Sequence, residues 1–302
     1  MKPDSSITLG VTGGAGVHAS DDAAAERQTR ISGVHITEIA PGAGAASARE
    51  IWEARELLYF MVWRDLKVRY RQTALGVGWA LMQPFFTMVV FSIFFGRFAG
   101  IPSDGVPYPV FSFAGLLPWT FFSNALSSAA GSVVGNADLI SKAYFPRVII
   151  PAAAVIAAAA DLAIASSIQV AMMLYYGVAI TPAILMIVPL TALTAATAFA
   201  VGLIAAAINV RWRDIRYVLP FALQLWLYAT PVIYPIALVP ASWRWLVRLN
   251  PMSGIIAGWR AALLGRPWDV QGLAIALGVT VAAFPVALRF FRTAERKFAD
   301  LI

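Results

Sequence analysis

Six apolar stretches lie between residues 74 and 291, at about 74–98, 110–134, 148–178, 182–210, 217–238 and 270–291. Each is near or above the ~20 residues that a helix needs to cross a bilayer. Six in succession leave too little polar surface for buried helices of a water-soluble core. Of the 302 residues 60% are hydrophobic and 13% charged, and the mean hydropathy is +0.72. A soluble domain of this length would aggregate with such a composition. The expected fold is therefore an all-α integral membrane protein with six transmembrane helices.

Other segments complete that layout. Residues 1–48, rich in Gly, Ala, Ser and Asp, read as a flexible cytoplasmic extension with no apolar run long enough for a signal peptide. Only 34–39, where apolar and polar residues alternate, hints at a strand. Residues 49–73 read as an amphipathic interfacial helix, and 74–302 as the transmembrane domain. On a helical wheel Ile51, Leu58, Val62 and Leu66 fall on one side of that helix. Glu53, Glu56, Arg64, Lys67 and Arg71 gather on the other. Its Trp and Phe side chains suit headgroup depth, and its cations suit anionic lipid or a protein partner. Between spans 5 and 6, residues 240–265 break at Pro251 and Gly254 into pieces too short to span. With Trp243, Trp245 and Trp259 beside three arginines, they are expected to be two short re-entrant extracytoplasmic helices.

Charge orients the chain. Lys and Arg number six in 49–71, two in 136–147, three in 211–216 and four in 289–297, fifteen on one side against five on the other. Both termini are therefore expected in the cytoplasm. The net charge of +7 sits at the ends of apolar segments, where it sets topology, and does not point to nucleic acid. With no cysteine, and with both histidines, His18 and His35, ahead of the first apolar segment, a thiol enzyme or metal site is not expected.

Catalytic motifs are missing. No glycine is followed by lysine, so there is no phosphate-binding G-x-x-x-x-G-K-[ST] loop, and no G-x-S-x-G or H-E-x-x-H either. The chain is not expected to hydrolyse ATP itself. Asp161 is the one carboxylate deep in an expected span. It reads either as a functional group facing a cavity or as a hydrogen-bonding group across an alanine-lined helix contact. The short inserts at 136–147 and 211–216 are mixed in charge and suit docking surfaces, although ordinary topology-setting loops look alike.

Five stretches resemble the permease subunits of type-2 ABC exporters, in particular those for lipid-linked polysaccharides such as O-antigen, capsule or teichoic acid. They are RELLYFMVWRDLKVRYRQTALGVGWALMQP at 55–84, FAGLLPWTFFSNAL at 113–126, NADLISKAYFPRVIIP at 136–151, NVRWRDIRYVLPFALQLWLYATPVIYP at 209–235 and LNPMSGIIAGWR at 249–260. The resemblance implies a homodimer in the bacterial inner membrane, joined by two copies of a separate ATPase that binds the ATP and magnesium. No cofactor is implied for this chain. It also implies that 136–147 is the segment that couples to the ATPase, through Asn136, Asp138, Lys142, Tyr144, Phe145 and Arg147. The helix at 51–71 would touch the ATPase as well. A glycan channel should be lined by aromatic and small polar groups. The candidates are Trp119, Phe121 and Phe122 in span 2 and Trp226, Tyr228 and Tyr234 in span 5, although an interfacial aromatic belt accounts equally for Trp119 and Tyr234. Arg64, Lys67, Arg69 and Arg71 could attract a lipid diphosphate at the entrance, or simply set topology.

Two other functions fit less of the chain. A related permease for a drug or another lipid would share the fold and differ in its cavity. A membrane glycosyltransferase or polymerase would carry catalytic residues in a large outer loop, whereas the outer loops hold only Asp104 and Asp269 as acids.

Overall fold

The computed structural model describes residues 52–71, 78–142, 145–296 and 298. The extension 1–48 and the alternating stretch 34–39 lie outside them. Among the described residues every regular element is helical: α1 (Arg55–Arg71), α2 (Gly78–Phe91), α3 (Tyr108–Gly135), α4 (Ala137–Lys142), α5 (Ile149–Tyr175), α6 (Ile187–Arg211), α7 (Ile215–Ala229), α8 (Arg244–Leu249), α9 (Pro251–Leu264) and α10 (Val270–Glu295). A π-helical segment, Ser92–Phe98, prolongs α2, and a short 3₁₀ turn, Pro182–Met186, leads into α6.

Among the described residues, four helical segments are long and apolar enough to cross a membrane: Leu81–Phe98, Ile149–Tyr175, Pro182–Arg211 and Val270–Glu295. They correspond to the expected spans 1, 3, 4 and 6. Helix α3 has the length, at 28 residues, but Ser, Thr, Asn and Gly dilute its hydropathy. The expected helix at 217–238 ends early, at Ala229, because Pro231 and Pro235 cannot continue it. At 15 residues α7 covers only about 22 Å.

Helix α3 is the central post, packed against α5, α6 and α9. Its buried side chains run the whole length, from Tyr108 to Val133. A second apolar cluster gathers at the Gly135 end, where Met61, Ile140, Ile149, Leu203, Phe291 and Phe298 meet.

Two expectations change in the structure. The break at 240–265 falls at Asn250 and Pro251 alone. Asn250 caps α9 by accepting from the Met252 N–H, and Pro251 occupies the first turn, where its missing N–H costs nothing. Gly254 lies inside α9, and a Cβ there would sit 2.2 Å from the Gly272 carbonyl of α10. It is a contact residue that lets two backbones approach, not a helix breaker.

Helix α1 also departs from the simple wheel. Its packed side is Ala54, Leu57, Leu58, Met61, Val62, Asp65, Leu66, Arg69 and Tyr70. Its open side mixes Trp52, Tyr59, Phe60, Trp63 and Val68 with Glu53, Glu56, Arg64 and Lys67. Met61 clusters with Ile149 and Ala153, while Arg69, two turns on, reaches Asp161, two turns beyond Ala153. The two helices therefore run side by side. Ile51 and the Arg71 side chain lie outside the described residues.

Candidate functional site

The five distinctive stretches of sequence converge on two places, at opposite ends of α3. At the Gly135 end, Asn136 terminates α3 and its amide donates to the Ser132 carbonyl at 2.8 Å. The chain then turns into α4, which anchors Ile140 in the apolar cluster and packs Leu139 against it, as Phe145 does beyond the helix. Asp138 and Lys142, one turn apart, stand on the exposed side. Arg147 points the other way. Its guanidinium donates to the Glu295 carbonyl at 2.7 Å, and its backbone N–H donates to the Glu295 carboxylate at 3.2 Å. The end of α10 thus holds the return from α4 into α5. A cation on the last carbonyls of α10 also suits the negative end of the helix dipole. Tyr144 lies outside the described residues.

Beside this end, Asp161 of α5 receives the Arg69 guanidinium and, at 2.5 Å, the Tyr70 hydroxyl. Burial, and then the bond to Asp161, push the Tyr70 phenol above its ordinary range, so it stays the donor. Arg64 pairs with its neighbour Asp65 at 2.8 Å, and Lys67 is exposed. The four cations expected to act together are thus split, with Arg69 turned inward.

At the Tyr108 end, the loop after α7 is held residue by residue. Arg260 of α9 is buried and donates to the Pro231 and Val232 carbonyls at 2.8 and 2.5 Å. Tyr108 donates to the next carbonyl, that of Ile233, at 2.8 Å. The guanidinium stacks on Phe111, with its central carbon 3.7 Å from the ring centre, and Gly115 leaves room for it. One helical layer away, Trp119, Phe122 and Trp226 pack with ring centres 5.1–6.3 Å apart. The Trp226 indole N–H donates to Asn250, whose amide donates to the Thr230 hydroxyl.

These contacts knit residues 108–122, 226–233 and 250–260 into one assembly, the same segments that stood out in the sequence. The sequence profile of the family described as ABC-2 type transporter matches residues 56–264, which holds nearly all of both sites. The chain belongs to the ABC-2 type transporter family. Over 258 residues it is 29% identical to an O-antigen export system permease protein of Myxococcus xanthus, covering 84% of this chain and 98% of that one. A protein of the same description from Klebsiella pneumoniae is 27% identical over 82% of this chain and 95% of its own length. The polysialic acid transport protein of Escherichia coli is 23% identical over 77% of this chain and 91% of that one.

In this ABC-2 type transporter the aromatic candidates separate by burial. Trp119, Phe121 and Phe122 lie in the interior of the chain, and Trp226 and Tyr234 are partly covered. Tyr228 is 50% exposed. It shares an open face of α7 with Tyr217, Phe221 and Leu225, and Leu223 is the buried residue of that helix. Sequence reasoning missed Arg260, Asn250 and Glu295 as site residues. A lone arginine within an apolar helical piece was the available signal for the first. An acid at the end of the last span was the signal for the third.

Proposed function

We propose that this chain is the channel-forming permease subunit of an ATP-driven exporter that moves a lipid-linked polysaccharide out across the inner membrane. It would work as a homodimer with two copies of a separate ATPase. The observation that carries this reading is the likeness to O-antigen permeases along nearly their whole length, 98% of the Myxococcus protein. The six-span layout follows if α3 and α7, the latter prolonged by the loop to Pro235, join the four long apolar helices. Both termini are then cytoplasmic, residues 244–264 are the outer re-entrant pair, and the α4 end faces the cell interior.

In that orientation the exposed Asp138 and Lys142 of α4 are offered to the ATPase, while Arg147 braces the segment from behind. Closure of two ATPases on ATP would push α4 and α1 and shift the equilibrium of the spans toward an open channel. Arg64 and Lys67 remain outward-facing candidates for a lipid diphosphate. The open face of α7 with Tyr228 is the better candidate for the channel wall, supported from behind by Trp119, Phe122 and Trp226.

A second reading is a permease for teichoic acid, a drug or another lipid. A protein described as an inner membrane transport permease of Escherichia coli, 28% identical over 204 residues and 61% of this chain, is a relative whose description names no polysaccharide. Deleting the gene tests both. An exporter of this kind leaves lipid-linked polymer inside the cell and strips it from the surface. Normal surface polymer overturns the polysaccharide reading, and loss of polymer both inside and outside would mark a synthetic enzyme.

A further inference from the structure

Asp161 sits twelve residues into α5, about 18 Å along the helix from its start at Ile149. A carboxylate at that depth in a span is costly unless a partner meets it. Two successive residues at the end of α1, Arg69 and Tyr70, both do. The second arm of the Arg69 fork lies 3.5 Å from the Ser128 hydroxyl of α3. One charge-assisted cluster therefore ties α1 to the interior of two spans, whereas Leu57, Leu58, Met61 and Val62 of α1 make non-directional apolar contacts.

We infer that Asp161 is a positioning residue for coupling: it fastens the last turn of α1 to mid-α5 and to α3, so a displacement of α1 is delivered inside the membrane. This rests on the reading that α1 touches the ATPase. A hydrogen-bonded ion pair is directional and resists slippage along the helix axis, which an apolar ridge does not. It also explains why Arg69 turns away from Arg64 and Lys67, since its task is mechanical and theirs is to face outward.

The test uses the permease–ATPase complex in proteoliposomes, comparing wild type with Asp161→Asn. Three quantities are read: complex yield, ATP hydrolysis per complex, and polymer export. The expected result is a normal yield, hydrolysis within about twofold of wild type, and export reduced by about tenfold, within the roughly 5–150-fold typical of coupling between sites. Unchanged export overturns the inference. Parallel loss of yield, hydrolysis and export in both Asp161→Asn and Arg69→Lys also overturns it, because that is the signature of a merely structural group. If Asp161→Asn does not assemble, Arg69→Lys, which keeps the charge and loses the fork, is judged by the same criteria. Glu56→Cys, at an exposed position of α1, cross-linked to the ATPase, separates the two layers of the claim. Absence of that cross-link defeats the α1 contact, and its presence with normal export defeats the role of Asp161 alone.

Discussion

Arg260 shows how much one buried side chain can organise. A guanidinium with no carboxylate within ion-pairing distance among the described residues is held by two carbonyls and an aromatic face. Those carbonyls belong to a loop that Pro231 bars from helix. Arg260→Lys replaces the planar fork that spans two carbonyls and stacks on Phe111 with a shorter point charge, at a cost of roughly 1–3 kcal/mol. Gly115→Ala should cost a similar ~1–3 kcal/mol by crowding, because its Cβ would lie 2.7 Å from the guanidinium and 3.0 Å from the Val232 oxygen. Thermal unfolding of the detergent-solubilised protein measures both, and an unchanged melting temperature in either would refute the clamp. Burial also predicts a split among the aromatic residues. Phe122→Ala should lose about 3–5 kcal/mol and lower the folded yield. Tyr228→Ala, at an exposed position, should keep the yield and slow export of polymer to the cell surface. Equal yields for the two variants would contradict that division.

At the scale of elements, α4 and the return that follows it are informative because their two cations do different things. Lys142 is exposed and Arg147 is tied to the end of α10. Lys142→Glu should abolish stimulation of the ATPase by the permease while leaving the permease stable. Arg147→Ala should loosen the α4–α10 junction and lower the melting temperature as well. Identical behaviour of the two would mean that the inward geometry of Arg147 has no consequence. The α9–α10 contact gives a paired test on one helix pair. Gly254→Ala drives a Cβ into a backbone carbonyl that no rotamer can avoid, so folded yield should collapse. Gly278→Ala meets no atom within 4 Å and gains helix propensity, by up to about 1 kcal/mol. The existence of each apolar helix was legible from length and hydropathy, and the break before α9 from Pro251. The early end of α7 was readable too, from Pro231. What periodicity missed was the packed side of α1, because Arg69 and Tyr70 face inward to Asp161, a partner far away in sequence.

As a whole molecule, the single chain leaves large apolar faces on α2, α7 and α10 uncovered, from Phe86 and Phe94 to Phe221, Val281 and Val286. Lipid and a second copy are the occupants expected of a homodimer. Native mass spectrometry of the complex with its ATPase should therefore give two permeases and two ATPases, and a one-to-one assembly would refute the dimer. The all-helical class and the places of the long apolar helices follow from the sequence alone, since they depend on how many consecutive apolar residues occur, which is a local sum. Tertiary structure decided which charges face inward. The sequence shows Asp161, Arg69, Arg147, Glu295 and Arg260 as ionisable groups near or within apolar segments and cannot say which meet. Their partners lie up to 148 positions away, and only the packing of α1, α3, α5 and α10, and of α9 on the loop after α7, brings those groups within hydrogen-bond reach.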